Sequence, residues 1–269
     1  MDWKSFFDRL GMNGSRWQWR ITRWERALKR VGRGEQMPGS PTITLTSAII
    51  FVNLFLFTLM LLWGARLQGA PPLLNPSGQL LVKFGAQYWP LVVYQGEWWR
   101  CLTYAFTHAG LIHLGFNMVV LYQVGPMLEF AIGPARFLFL YTFTALAATF
   151  AGYLWHPMTI VVGASGSLFG LIGFAIAYFH RQGGPAGIQH RNFMLQWAAL
   201  AFIFGFMVGA DNAAHLGGAL SGALLGWINP LSVRREKQLR GIFNTLAMVS
   251  AVLLVLSLGL LVLSWFGTG

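Results

Sequence analysis

Charge is what this sequence has least of. Of its 269 residues 10% are charged and 55% are hydrophobic, with a mean hydropathy of +0.55; a soluble domain carries about a quarter charged residues. The apolar runs are too many and too long for one buried core. They approach the roughly 20 residues that, at about 1.5 Å rise each, cross a hydrocarbon layer of about 30 Å. The composition therefore predicts an all-α polytopic membrane protein. Acids are scarcer still: between residues 45 and 230 the only carboxylates are Glu97, Glu129 and Asp211. An aspartyl hydrolase needs two facing carboxylates, and only Asp211 lies near a span interior. A zinc hydrolase of the HExxH type needs a Glu beside a His, and no histidine has one. The single Cys101 excludes an intramolecular disulfide. No apolar run occurs before residue 42, so no cleavable signal peptide is expected and the first span serves as the targeting signal.

The net charge of +11 is distributed for a membrane, not for nucleic acid. Residues 1–40 carry nine Lys and Arg, and Leu231–Arg240 carries four more. Basic clusters beside spans act as topology signals and meet anionic headgroups, and no basic folded module for nucleic acid is visible. Residues 1–43 form a basic extension expected on the cytoplasmic side. Within it Trp17, Ile21, Trp24 and Leu28 would share one face of a surface helix, or the whole stretch is a disordered basic arm. Seven spans are expected, at Leu45–Trp63, Leu111–Phe130, Arg136–Leu154, Ser165–His180, Phe193–Met207, Asp211–Ile228 and Ile242–Phe266. A long loop, 64–110, follows the first span; its Tyr88, Trp89, Trp98 and Trp99 suit the headgroup level. A basic turn, 231–241, precedes the last span and the C-terminal segment, 242–269. Arg136, Arg181, Arg191 and that turn all fall inside when the N-terminus is cytoplasmic, which puts the C-terminus outside. No internal repeat is evident, and that argues against a transporter.

With the acids set aside, a serine with a histidine base remains. Ser165, in Gly163-Ala164-Ser165-Gly166, opens an apolar run as a helix start. Backbone N–H groups there lack helical partners and carry the positive dipole end, suited to an oxyanion. His215 lies one turn into the sixth span. His113 and Asn117, four apart, share a helix face near the outer end of the second span and would add oxyanion donors; His108 precedes them. A His108–His113 metal pair lacks a neighbouring carboxylate or Cys, so no metal is expected and no cofactor. Gly166 and Gly170 on the fourth span, with Gly173 beyond, and Gly218, Gly222 and Gly226 on the sixth have the spacing that lets helix backbones close up. Close approach would bring the Ser165 hydroxyl within reach of an imidazole. Asp211, one turn before His215, is read as a helix cap, with a third place beside the pair as the other reading.

Four stretches together resemble the rhomboid family of intramembrane serine proteases, over roughly residues 45–230. They are Gly96-Glu97-Trp98-Trp99-Arg100; His108 with His113-Leu114-Gly115-Phe116-Asn117; Gly163-Ala164-Ser165-Gly166; and Ala214-His215-Leu216-Gly217-Gly218 running to Gly222. The resemblance implies a six-helix core, 44–230, with one added C-terminal span. It implies Ser165 as nucleophile and His215 as general base, and His113, Asn117 and the Ser165 N–H at the oxyanion. His108 and Gly163 would support the site, and Trp99 with Arg100 would belong to the structural first loop. Where some members place a tyrosine against the catalytic histidine, this chain has Phe169, which keeps the aromatic face and loses the hydroxyl. The implied substrates are single-span membrane proteins cut in or near the bilayer, and a bacterial inner membrane is the expected location. A non-catalytic relative that binds and escorts membrane proteins is the alternative; such relatives generally lack the Ser or the His, and both are present here.

Overall fold

The computed structural model describes residues 44–68, 73–207 and 209–266; the amphipathic pattern expected at Trp17–Leu28 lies outside them. Ten α-helices occur among the described residues, and the chain is an all-α polytopic membrane protein. Helix α1 is Leu45–Gln68. The loop after it is folded into α2 (Gly78–Lys83), α3 (Trp89–Tyr94), α4 (Arg100–Thr103) and a 3₁₀ turn, Tyr104–Phe106. Then follow α5 (Leu111–Ile132), α6 (Pro134–Trp155), α7 (Ser165–Gln182), α8 (Gly184–Met207), α9 (Asn212–Ile228) and α10 (Val233–Ser264).

By length and composition α1, α5, α6 and most of α10 are apolar enough to cross a membrane. Helices α7, α8 and α9, also expected as spans, do not stand out this way. Helix α9 is 17 residues long, and α7 carries His180 and Arg181 in its last turn. Large side chains such as Phe51, Phe130, Leu154, Phe206 and Val255 point outward and are exposed. Within a bilayer such faces meet hydrocarbon while the helices satisfy their own backbone.

Element ends follow local chemistry. Asp211 is the N-cap of α9 and accepts from the N–H groups of Ala213 and Ala214. Glu129 of α5 does the same at a distance: its carboxylate takes the N–H groups of Leu45 and Thr46 and the Thr46 hydroxyl at 2.7–3.0 Å. A buried acid is thereby fully bonded against the positive end of α1. Three boundaries differ from expectation. Helix α1 runs on to Gln68, past the expected end at Trp63, so the first residues expected in the long loop, 64–68, are helical. The basic stretch expected as a turn, Arg234-Arg235-Glu236-Lys237, is the first turn of α10, because Ser232 caps it by accepting from Arg235 N–H and Arg136 pairs with Glu236 at 3.3 Å. Likewise α8 begins at Gly184, nine residues before the expected Phe193, so His190 and Arg191 are helical.

Helix α9 packs mainly on α7 and α6, α8 on α7, α1 on α5, and α10 on α6 and α4. The α7–α9 contact is backbone on backbone. A Cβ at Gly218, Gly222 or Gly226 would run into the carbonyl oxygen of Gly166, Gly170 or Phe174 respectively. Within lipid there is little hydrophobic drive between helices, so this close dispersion contact is what brings them together.

Candidate active site

Helix α7 begins at Ser165 itself, as the sequence requires for a serine at a helix N-terminus. Ala164 occupies the N-cap with no side-chain cap, so the first N–H groups of the helix have no intrahelical acceptor. The glycine contact of α9 on α7 sets His215 opposite: its Nε2 lies 2.8 Å from Ser165 Oγ. The Phe169 ring stacks on the His215 imidazole, centroids 4.3 Å apart and planes 21° off parallel. From the other side Gly205 of α8 leaves room for the ring, since a Cβ there would lie 3.0 Å from His215 Cε1.

Tautomers follow from the bonds of the other two histidines. His113 Nδ1 accepts from Ala109 N–H at 3.4 Å, so its neutral form carries the proton on Nε2 and presents a donor. Gly163 makes room for that edge: it has φ +113°, and a Cβ would lie 2.6 Å from His113 Cε1. His108, fully buried, accepts at Nε2 from Ala164 N–H at 3.4 Å. Burial, and then the neighbouring His113, hold its pKa well below the ordinary histidine range. A neutral ring with a free Nε2 lone pair is what that acceptance needs.

Asn117 Nδ2 donates to His113 O at 2.8 Å, which leaves one amide hydrogen for another acceptor. Ser165, His215, His113, Asn117 and Phe169 line one small pocket of about 20 Å³, of the order of the volume one water occupies. A larger open cavity of about 1090 Å³ reaches Ser165, His215 and His113 from the side of Asn75, His156 and Thr159. Asp211 lines it too, but its Oδ1 is committed to the cap.

Trp99 and Arg100 line neither cavity. Arg100 pairs with Glu97 and donates to the carbonyls of Val82 and Ala86, so it fastens the loop to itself. Two contributors carried no sequence signal. Tyr104 accepts from Gly163 N–H at 2.9 Å while its hydroxyl donates to Ala145 O at 2.8 Å, and Ala109 fixes the His113 tautomer through its backbone. Among the described residues no three of His, Cys, Asp and Glu gather as metal ligands would.

The fold and site define a class: a helical membrane protein with a serine at a helix start, bonded to a histidine beside a cavity. Comparison with known proteins narrows it. The family model for the Rhomboid domain matches residues 95–232. The chain is 30% identical over 208 residues to the rhomboid protease AarA of Providencia stuartii, covering 68% of this chain and 71% of that one. It is 35% identical over 140 residues to the putative rhomboid protease YdcA of Bacillus subtilis, covering 51% and 70%. With the rhomboid protease GluP of the same organism it shares 32% over 193 residues, 68% of this chain but only 34% of GluP. The chain belongs to the rhomboid family.

Proposed function

We propose that this protein is a rhomboid serine endopeptidase that cuts membrane-protein substrates with a Ser165–His215 dyad. The observation that carries the reading is the 2.8 Å contact between Ser165 Oγ and His215 Nε2 at the foot of an open cavity. In the proposed reaction His215 Nε2 takes the hydroxyl proton as Ser165 Oγ attacks the scissile carbonyl carbon. The oxyanion enters the small pocket, where the Ser165 N–H, His113 Nε2–H and the second Asn117 amide hydrogen are the donors. Collapse expels the amine, which receives its proton from His215. A water then attacks the acyl-enzyme with His215 again as base, releasing the acid and restoring Ser165. Phe169 holds the imidazole plane through these transfers.

Under this reading the substrate is a transmembrane segment that unwinds into the cavity. The site opens to the outer side of a bacterial inner membrane, with the N-terminus cytoplasmic, the C-terminus outside and α10 as a seventh span. The test is cleavage of a fluorogenic transmembrane peptide in proteoliposomes. Wild type is expected to cleave, and Ser165→Ala and His215→Ala to fall to background with unchanged thermal unfolding. Residual turnover by either variant at the wild-type rate refutes the dyad.

A further inference from the structure

We propose that Trp265, just past the end of α10, is a positioning residue for Ser165, acting through the folded loop between α1 and α5. This rests on the protease reading above. The residues joining them are contiguous. Trp265 Nε1–H donates to Lys83 O at 2.7 Å, and its ring meets Phe84 at 4.9 Å between centroids. Phe84 is buried and also meets Trp63 of α1 edge-on at 6.3 Å. Leu261, one turn back on α10 and itself buried, packs where a Cβ on Gly85 would lie, at 3.1 Å. The end of α10 thus grips three consecutive residues, Lys83 to Gly85.

The last two of these residues hold the next link through their carbonyls. Phe84 O accepts from the Thr107 hydroxyl at 2.6 Å, and Gly85 O accepts from the Thr103 hydroxyl at 2.8 Å. Thr103 precedes Tyr104 and Thr107 precedes His108. Tyr104 O and His108 Nε2 in turn accept the N–H groups of Gly163 and Ala164, the two residues before Ser165. The Trp265–Lys83 joint is half-buried, and from Phe84 onward each joint is buried and bonded, so a shift of the Lys83–Gly85 segment has little slack in which to be absorbed before the serine. The basic end of α10 is held separately, by Arg136 against Glu236 and over the Phe243 ring, which leaves the Trp265 end as the one that addresses the loop. On this account α10 does more than add a helix to the bundle. It sets the height of the nucleophile.

The experiment uses the full chain in proteoliposomes, with Trp265→Ala and Trp265→Phe. It measures kcat and KM for a transmembrane peptide, the rate of fluorophosphonate labelling, and hydrogen exchange of residues 78–107. Trp265→Ala is expected to lower kcat and labelling by roughly ten- to a hundredfold, the scale of a small misplacement of a reacting group, with KM unchanged and protection lost in that segment. Trp265→Phe, which keeps the ring on Phe84 and loses only the donor, is expected to fall between it and wild type, and it carries the test if Trp265→Ala does not fold. Wild-type kcat and labelling in a folded variant overturn the proposal, as does a loss confined to KM. A wild type that neither cleaves nor labels refutes the protease reading instead. Exchange then decides the clamp, and unchanged protection of residues 78–107 overturns it.

Discussion

At the scale of the residue, the site rests on three histidines in three states of bonding. His215 faces the serine, His113 presents Nε2–H because Ala109 N–H occupies its Nδ1, and His108 takes a backbone N–H. The histidine positions were legible in the sequence, since His113 and His215, like Ser165, sit near the start of an apolar run and His108 lies just ahead of one. Their tautomers were not, because these depend on single backbone groups that no motif specifies. The donor role gives a prediction. On the proposed mechanism His113→Ala removes one oxyanion donor and should lower kcat by roughly a hundredfold or more, about what one such donor contributes, while KM and thermal unfolding stay near wild type. Turnover within twofold of wild type, measured on the same transmembrane peptide, would remove His113 from the oxyanion site. Phe169 supplies the aromatic face stacked on His215 without a hydroxyl.

At the scale of the element, the α7–α9 contact decides whether Ser165 and His215 meet. The glycine spacing announced this contact, because only small residues every fourth position leave a groove that another backbone can enter. Gly222 lies over the Gly170 carbonyl, two turns below the dyad, and backbone cannot yield as a flexible side chain can. Gly222→Val should therefore force α9 off α7, at a cost of about 1–3 kcal/mol or more for overpacking. The expected result is a lowered unfolding midpoint together with lost cleavage; an unchanged midpoint with full cleavage would show that the contact is not what aligns the pair. The start of α10 was harder to read. Arg234, Arg235 and Lys237 look like a solvated turn by composition, but the Ser232 cap and the Arg136–Glu236 pair continue the helix through them. The bond from Trp265 to Lys83, 182 positions apart in the chain, had no local trace at all.

At the scale of the whole molecule, the proposed topology follows from where the basic residues fall. Met158, exposed between α6 and α7, and Gln189 in α8, exposed near the other end of α7, test it. Cys101 is buried and its thiol is pushed up to about 11 by burial, so it stays silent as background. A cysteine replacing Met158 should react with a membrane-impermeant maleimide in intact cells, and one replacing Gln189 only after permeabilisation; the reverse pattern inverts the topology. The membrane class was plain from composition, and the paired Ser and His from their motifs. What composition could not supply was the folding of residues 73–110 into a support for the site, through tertiary bonds that Arg100, Thr103, Tyr104 and Thr107 make to Ala86, Gly85, Ala145 and Phe84. The central claim, that Ser165 is a nucleophile activated by His215, is tested most directly by labelling the purified protein with a fluorophosphonate probe beside Ser165→Ala and His215→Ala. Labelling of wild type alone is the predicted result, and labelling that persists in Ser165→Ala would contradict it.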